Sequence, residues 1–226
     1  MPSALVTGGS SGIGLAIAAM LAEEGYTLTL ASRKLEKLEA ARERLAAQIV
    51  QADVSKEDDC ERLVGEHVAH HGGIDVLVNS AGIGIAGTTA DATTKAWDVQ
   101  NAVNLRGAFL VTRAALPHLR GTKGYVVNLA SIAGTIPTPG LAVYGATKAA
   151  LIALTRTLSR EEEDNGVRFT ALCPAFVDTP MADWTGLGSD EMITPGDCAE
   201  IVRALLRLSA AARVPVVVIE RAGDRV

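Results

Sequence analysis

The segment Ala4-Leu-Val-Thr-Gly-Gly-Ser-Ser-Gly-Ile-Gly14 decides the fold of this 226-residue chain. Its first three residues are apolar and typical of a buried strand, and a glycine-rich turn from Thr7 to Gly14 follows at once. Apolar residues at helical spacing from Leu15 to Ala22 predict a helix directly after the turn. Such a turn lets backbone amides approach a pyrophosphate, and the helix N-terminus adds partial positive charge. The segment therefore predicts a dinucleotide-binding turn, and the other interpretation is a flexible turn without a ligand.

The rest of the chain alternates short β-rich runs with helical patterns. Strands are predicted near residues 3–7, 26–31, 48–52, 74–79, 124–129, 167–172 and 214–219. Helices are predicted near residues 12–24, 34–47, 56–71, 96–120, 143–163 and 196–209. This alternation indicates an α/β fold, a Rossmann-type doubly wound parallel sheet with helices on both faces. We expect residues 1–226 to form a single domain.

Polar motifs follow several of the predicted strands. They are the glycine turn, Ser32-Arg33, Asp53-Val54, Asn79 to Gly82, and Ser131. In a parallel sheet of this kind, ligands bind beyond the carboxyl ends of the strands. We therefore expect these motifs to open on one edge of the sheet.

A second motif, Tyr144-Gly-Ala-Thr-Lys148, follows Ser131 by thirteen residues. In a helix, residues four apart share a face, so the Tyr144 phenol and the Lys148 ammonium lie side by side. A neighbouring positive charge favours the phenolate and lowers the pKa of the tyrosine. The three side chains can converge on one carbonyl, which predicts a proton-transfer site. The alternative is an ordinary Tyr/Lys pair on a solvated helix face.

The end of the second predicted strand, Ser32-Arg33-Lys34, bears on the choice of dinucleotide. A carboxylate at this place would hydrogen-bond the adenosine ribose and repel a 2′-phosphate, whereas an arginine pairs with that phosphate. NADP(H) is therefore favoured over NAD(H). The alternative is that Arg33 and Lys34 simply begin a charged helix.

These motifs and their order resemble the short-chain dehydrogenase/reductase family. Its members carry a Thr-Gly-x-x-x-Gly-x-Gly turn, an Asn-x-Ala-Gly turn, an asparagine, a serine and a Tyr-x-x-x-Lys pair. The corresponding residues are Thr7 to Gly14, Asn79-Ser-Ala-Gly82, Asn104, Ser131, and Tyr144 with Lys148. The match runs from about Leu5 to Thr179, and Ser80 replaces the usual second asparagine of its turn.

The resemblance implies an oxidoreductase that interconverts a carbonyl and an alcohol by hydride transfer. Tyr144 would be the acid in reduction and the base in oxidation, and Ser131 would polarise the carbonyl. Lys148 would hold the ribose hydroxyls and lower the pKa of Tyr144, and Asn104 would anchor a water. Two alternatives stay open: an NAD(H)-preferring alcohol dehydrogenase of this fold, and a non-catalytic dinucleotide sensor or scaffold. An intact Ser131, Tyr144 and Lys148 favours the enzyme.

The resemblance also implies a set of cofactor-binding residues. They are Gly8, Ser10, Ser11, Gly12, Ile13, Gly14, Ser32, Arg33, Asp53, Val54, Asn79, Ala81, Gly82, Tyr144, Lys148, Pro174, Val177 and Thr179. Asp53 would contact the adenine, and the turn at Asn79 would support the central sheet. The run from Cys173 to Thr179 resembles the family's Pro-Gly-x-Val-x-Thr segment, with Ala175 in place of the glycine.

Four stretches are candidate walls of a substrate pocket: Ile83–Ile85, Ile132–Pro137, Phe176 and Pro180–Met192. They are mostly apolar and contain no Arg or Lys, so a neutral aldehyde or ketone is expected as substrate. The substrate loop near residues 180–195 is either a closing lid or a plain connection.

Composition excludes several other classes. A net charge of −5 and a pI near 5.4 disfavour nucleic acid as a partner. The chain has no apolar run long enough for a membrane span, and its first strand begins near Ser3, so we expect a cytoplasmic protein. Three widely spaced cysteines indicate reduced thiols. No metal is expected, because His67 and His71, one helical turn apart, have no evident further ligand.

The helix predicted to carry Tyr144 is apolar on almost every side between Ala146 and Leu154. A helix apolar all round must be buried on all sides. One side meets the sheet, and the other is expected to meet a second subunit, as in the helix bundle of the family. The alternative is burial inside a monomer. We expect a homodimer, with a homotetramer as the alternative, because the C-terminal segment from Glu220 to Val226 lacks the glycine-rich extension of many members.

Overall fold

The computed structural model describes residues 1–223 and contains one continuous parallel sheet. Its strands are β1 (Ser3–Thr7), β2 (Thr27–Ser32), β3 (Gln48–Gln51), β4 (Val76–Asn79), β5 (Tyr125–Leu129), β6 (Arg168–Pro174) and β7 (Val216–Ile219). Within the described chain these seven strands lie in the order β3-β2-β1-β4-β5-β6-β7. The chain order reverses between β1 and β4, and this point in an open α/β sheet is where ligands bind. The predicted doubly wound fold is confirmed.

Seven α-helices in residues 1–223 connect these strands. They are α1 (Gly12–Glu23), α2 (Leu35–Leu45), α3 (Glu57–His71), α4 (Thr94–Asn101), α5 (Ala108–Thr122), α6 (Ala142–Glu161) and α7 (Pro195–Arg207). Within the same residues, no helix combines the length and the apolar character needed to cross a bilayer.

One predicted helix is corrected. The continuous helix expected near residues 96–120 is interrupted by a π-helical turn, Ala102–Gly107, between α4 and α5. Gly107 lets this turn approach the loop after β3, since a Cβ there would lie 2.8 Å from Val54 Cγ2. π-Helical turns are frequent at functional sites, and this one contains Asn104.

The core has two layers, one on each face of the sheet. Along β1, Ala4 and Val6 join the layer of α1, α2 and α7, whereas Leu5 joins the layer of α3, α5 and α6. This alternation follows from the two-residue period of a strand. Both faces of β1 are buried, which explains its uninterrupted apolar sequence.

The outer face of α6 differs from the expectation of burial inside a monomer. Ala142, Ala146, Ala149 and Ala153 are exposed, whereas Lys148 and Leu151 face the interior. The apolar sequence of α6 thus covers the sheet on one side and forms a small-residue surface on the other.

Candidate active site

The glycine turn packs against the turn that follows β4. Gly8 and Gly12 have φ values of +66° and +53°, in the left-handed region that favours glycine. A Cβ at Gly8 would lie 2.8 Å from the Ala81 backbone nitrogen, and a Cβ at Gly14 would lie 2.5 Å from the Gly8 carbonyl oxygen. Close backbone approach therefore requires glycine at Gly8 and Gly14, and the positive φ favours it at Gly12.

The amino end of α1 opens toward a large cavity. Ser11 stands at the N-cap, and within the described chain its side chain makes no capping hydrogen bond. The first-turn amides thus keep donors for an anion, and the helix dipole favours negative charge at this place. Ser10, Ser11 and Ile13 line the cavity, so the turn and the residues around it fit the pyrophosphate of a dinucleotide.

This cavity has a volume of about 950 Å³ and extends along the carboxyl edge of the sheet. It is lined by most of the predicted site residues, namely Gly8, Ser10, Ser11, Gly12, Ile13, Ser32, Arg33, Asp53, Val54, Ala81, Gly82, Ser131, Tyr144, Lys148, Pro174, Val177 and Thr179. Gly14, Asn79 and Asn104, by contrast, are not among the residues that line the cavity.

Asn79 is buried inside the sheet. Its Nδ2 donates to Asn128 Oδ1 on β5 at 2.8 Å and to Thr112 Oγ1 on α5 at 2.9 Å. Its own Oδ1 is buried and has no hydrogen-bond partner among the described residues. Asn79 therefore ties the sheet to α5, the supporting role that the family resemblance implied.

Asn104 is a positioning residue. Its Oδ1 accepts from Ile83 N at 2.8 Å, and its Nδ2 donates to Ile83 O at 2.9 Å and to Thr147 Oγ1 at 3.1 Å. These bonds fix the loop after β4 against α6. Asn104 Oδ1 and Lys148 Nζ both approach Gly82, at 3.5 and 3.6 Å from the position of a Cβ there.

Ser131 and Tyr144 meet because two glycines let their elements touch. Ser131 begins the short 3₁₀ turn Ile132–Gly134 and caps it by accepting from the Ala133 amide at 3.2 Å. A Cβ at Gly134 would lie 2.7 Å from the Ala149 backbone nitrogen, and one at Gly145 would lie 2.7 Å from the Ala133 carbonyl oxygen. The turn therefore packs directly on the α6 backbone.

Burial governs the acidity of Tyr144. Loss of solvent around the phenol raises its pKa above 10.0, and a hydrogen bond with Ser131 offsets part of that rise. Lys148 was expected to lower this pKa, but burial is the largest effect and the pKa is raised. A protonated phenol is thus favoured at neutral pH.

Lys148 lies beside this phenol and is buried. Its Nζ donates to the Leu129 carbonyl at 2.6 Å and lies 5.6 Å from the centre of the Tyr144 ring. Burial disfavours the ammonium and lowers the pKa of Lys148 to about 8. The site therefore holds an acid and a weakly basic amine within one wall of the cavity.

Cationic side chains gather where the cavity reaches the end of β2. Arg33, Lys34 and Lys37 line it there, and within residues 1–223 none of the three forms an ion pair. Lys37 was missed by the sequence argument, although its spacing of three residues from Lys34 places it near the same helix face. Asp53 lies opposite, where its Oδ1 accepts from the Ser55 amide and hydroxyl.

The other end of the cavity is apolar. Of the predicted walls, the residues that line the cavity are Ile83, Gly84, Ile132, Ala133, Ile136, Pro137, Phe176, residues 180–182 and Trp184, whereas Ile85, Gly134, Thr135, Asp183 and residues 185–192 do not line it. Ala86, Thr138, Pro139 and Leu141 also line this end of the cavity and were not predicted from the sequence. Thr138, Pro139 and Leu141 continue the predicted stretch Ile132–Pro137, whereas Ala86 lies in the loop after β4.

The two ends of the substrate loop are hydrogen-bonded to each other. Phe176 O accepts from the Ile193 amide at 3.0 Å, and Ile193 O accepts from the Asp178 amide at 2.9 Å. Thr179 packs on the glycine turn, with its Cγ2 only 3.1 Å from the position of a Cβ at Gly12. The loop thus connects the turn at α1 with the apolar end of the cavity.

His67 is not among the residues that line this cavity. It is fully buried, its Nε2 donates to the Gly73 carbonyl at 3.0 Å, and its Nδ1 lies 2.8 Å from Thr29 Oγ1. Among residues 1–223, no group of three or more His, Cys, Asp or Glu side chains is arranged to hold a metal ion. Hydrogen bonds to the surrounding chain account for the position of His67.

The sequence model of the short chain dehydrogenase family matches residues 2–187. The chain belongs to the short-chain dehydrogenase family. An uncharacterized oxidoreductase of Staphylococcus epidermidis is 38% identical over 202 residues, which cover 88% of each chain. This protein is therefore an oxidoreductase of the short-chain dehydrogenase family.

Solved structures agree over nearly the whole chain. An alcohol dehydrogenase of the archaeon Thermococcus sibiricus, complexed with 5-hydroxy-NADP, has a TM-score of 0.91 and 32% identity, covering 99% of this chain and 97% of its own. A 3-ketoacyl-(acyl-carrier-protein) reductase of Brucella melitensis, complexed with NADH, has a TM-score of 0.90 and 29% identity over 97% and 96%. Short-chain dehydrogenases thus bind nicotinamide dinucleotides with or without the 2′-phosphate.

Two departures from the short-chain dehydrogenase motifs have visible consequences. Ser80, in place of the usual asparagine, lines the cavity, and its Oγ lies 2.9 Å from the position of a Cβ at Gly14. Ala175, in place of a glycine, is half-buried and donates its amide to Ile219 O at 2.8 Å. A small residue suffices at both places.

Proposed function

We propose that this protein is an NADP(H)-dependent reductase or alcohol dehydrogenase that interconverts a neutral aldehyde or ketone and its alcohol. One observation carries the proposal: the hydrogen-bonded Ser131 and Tyr144 hydroxyls line the same cavity as the glycine turn of α1. A dinucleotide held at the turn and a carbonyl held at the hydroxyls would share one enclosed space.

The chain supplies the proton side of the reaction. A bound reduced nicotinamide would deliver a hydride to the carbonyl carbon. The Ser131 hydroxyl donates a hydrogen bond to the carbonyl oxygen, and the Tyr144 phenol gives that oxygen its proton. Because burial raises the pKa of Tyr144, the phenol stays protonated and ready for reduction at neutral pH. The protonated Lys148 stabilises the phenolate that remains.

The preference for NADP(H) rests on the end of β2. Arg33, Lys34 and Lys37 are exposed and line the cavity, and within the described chain none of them is paired with a carboxylate. A guanidinium flanked by two ammonium groups favours a 2′-phosphate over a bare ribose hydroxyl. Because its relatives bind either dinucleotide, the choice depends on these residues of the chain itself.

The outer face of α6 supports a homodimer. Ala146, Ala149 and Ala153 form an exposed stripe of small residues, and Phe109 on α5 is 41% exposed. Small side chains let two helices approach closely, and an exposed aromatic side chain offers further apolar area to bury. A mass of two chains in sedimentation supports this assembly, and a mass of one chain contradicts it.

Replacing Tyr144 with phenylalanine tests the enzyme function. Tyr144→Phe removes the proton donor and leaves the ring, so turnover in a panel of aldehydes and ketones should fall at least about a hundredfold. NADPH binding, measured by titration, should stay within about threefold. If wild-type turnover is detectable and the variant keeps it, Tyr144 is not the acid. If no carbonyl or alcohol is turned over with either dinucleotide although NADPH binds, a sensor or scaffold is the better interpretation.

Replacing Arg33 with alanine tests the choice of dinucleotide. Arg33→Ala should weaken NADPH binding roughly tenfold and leave NADH binding within about twofold, because only NADPH carries the phosphate. Arg44, on the last turn of α2 and outside the cavity, gives the matched control Arg44→Ala, which should change neither affinity. Equal losses for both dinucleotides in Arg33→Ala would exclude a phosphate contact.

A further inference from the structure

Large apolar side chains are concentrated at the mouth of the apolar end of the cavity. Phe176, Met181 and Trp184, which we call the aromatic mouth, all line it. Trp184 is 59% exposed and Met181 is 45% exposed. The rings of Phe176 and Trp184 meet edge to face, with centroids 6.0 Å apart and planes at 80°. Apolar surface left exposed beside a cavity indicates that a ligand covers it.

A second apolar wall faces this mouth. It is formed by the stretch from Ile136 to Leu141, between the Ser131 turn and α6. Gly140 O accepts from the Gly87 amide at 2.8 Å, which ties this stretch to the loop after β4. That loop is held in turn by Gln100, a buried residue of α4 whose Oε1 accepts from the Ile85 amide at 3.0 Å. The wall is thus pre-organised.

Gly84 leaves space next to the catalytic phenol. A Cβ at this position would lie 3.7 Å from two ring atoms of Tyr144 and 3.9 Å from Met181 Sδ. These are ordinary contact distances, so a side chain at Gly84 would occupy the space beside both the phenol ring and Met181. Without a side chain here, a wide group can extend from the carbonyl toward Met181 and Trp184.

Charge is confined to the other parts of the cavity. The charged lining residues are Arg33, Lys34, Lys37, Asp53 and Lys148. Arg33 and Lys34 follow β2, Lys37 lies in the first turn of α2, Asp53 follows β3, and Lys148 is buried beside Tyr144. Within residues 1–223, neither the aromatic mouth nor the wall from Ile136 to Leu141 adds a charged side chain to the lining. A substrate group bound between them would lose water around any charge without a partner to replace it.

From these features we infer that the substrate is an uncharged ketone or aldehyde with an aromatic ring or a similarly wide apolar group next to its carbonyl. This inference rests on the proposed reductase function. The wide group packs between the aromatic mouth and the wall from Ile136 to Leu141, and the carbonyl oxygen meets Ser131 and Tyr144. On reduction, the carbon would gain a hydride from the reduced dinucleotide, which is oxidised, and the oxygen would gain the Tyr144 proton, so the C=O double bond becomes a C–O single bond with new C–H and O–H bonds.

Matched ketones test the inference. Acetophenone and 2-octanone have the same number of carbon atoms, and 4-acetylbenzoate adds a carboxylate to the ring. With NADPH, kcat/KM for acetophenone should exceed that for each of the other two at least about tenfold. Equal or faster reduction of 2-octanone or of 4-acetylbenzoate overturns the inference while the reductase function stands.

The two tryptophans of the chain provide a readout that does not need turnover. Trp97 lies on α4, is 49% exposed and stands outside the cavity lining. In Trp97→Phe the remaining Trp184 should report saturable binding of 1-phenylethanol in the presence of NADP⁺, whereas in Trp184→Phe the remaining Trp97 should not. Saturable binding without any carbonyl turnover contradicts the reductase function and supports the binding site. The absence of a saturable Trp184 signal overturns the site.

Two substitutions should change selectivity in a defined direction. Gly84→Val fills the space beside Tyr144, and Trp184→Ala removes half of the aromatic pair. Each should lower the acetophenone-to-acetone ratio of kcat/KM roughly tenfold. The control Trp97→Ala should leave that ratio unchanged. A ratio unchanged in both Gly84→Val and Trp184→Ala, in protein that still binds NADPH, overturns the inference.

Discussion

Lys148 and His67 are both buried titratable groups. Lys148 bonds to Leu129 at the carboxyl end of β5, whereas His67 contacts Ser3 at the amino end of β1. Burial lowers the pKa of Lys148 to about 8 and that of His67 to about 4. Lys148 borders a cavity of about 950 Å³ and stands beside Tyr144, whereas His67 is enclosed by Ser3, Thr29 and Gly73. A shifted pKa therefore does not identify a functional group by itself. Access to a cavity distinguishes the two.

The largest effect should follow from removing the cavity-facing group. Lys148→Met keeps the length of the side chain and removes the charge beside Tyr144, so kcat/KM for carbonyl reduction should fall at least about a hundredfold. The free energy of unfolding should stay the same or rise, because a buried charge is replaced by an apolar group. Steady-state kinetics and urea unfolding measure the two quantities. A loss of stability with unchanged kinetics would place Lys148 in the same class as His67.

The enclosed group should behave in the opposite way. His67→Ala removes the hydrogen bond to Gly73 and leaves a cavity, so the free energy of unfolding should fall by about 3 kcal/mol. The kcat/KM of the folded fraction should remain within about twofold of wild type. His70, exposed on the same helix, gives the control His70→Ala, for which we expect a change below about 0.5 kcal/mol. A selective kinetic defect in His67→Ala would show that the comparison is false.

The pH dependence of stability should sharpen the comparison further. Since burial depresses the pKa of His67 to about 4 from 6.5, the unfolded chain takes up a proton before the folded chain does. Stability is then fully present above pH 6.5 and is lost as the pH falls toward 4. Unfolding by urea at several pH values should show that the free energy of unfolding falls by about 3 kcal/mol because of this group. In His67→Ala this part of the pH dependence of stability should disappear. An unchanged pH dependence would assign it to other groups.

Much of the fold could be predicted because its signals are local. Strand and helix periods, and the need for glycine at Gly8 and Gly12, depend on a few adjacent residues, and the predicted strands lie close to the observed ones. The π-helical turn at Ala102–Gly107 could not be found in this way. It depends on contacts of Asn104 with Ile83 and of Gly107 with Val54, which join distant parts of the chain.

The candidate site shows the same difference between local signals and long-range contacts. The motifs that follow β1, β2 and β5 identified the residues at the glycine turn, Arg33 and Ser131. Gly14 and Asn79 stand outside the lining of the cavity, because a motif names its residues without saying which of them face the cavity. Lys37 and the wall at Pro139 and Leu141 were missed for the converse reason, since they lie outside any motif.

The sequence by itself determined the order of strands and helices, the glycines that the backbone requires, and the family to which the chain belongs. These properties depend on residue type and spacing, which are local features of the sequence. Only the tertiary structure decided which side chains share the cavity, and that burial raises the pKa of Tyr144. The physical reason is that burial and cavity shape are collective, since they arise where several elements exclude water together.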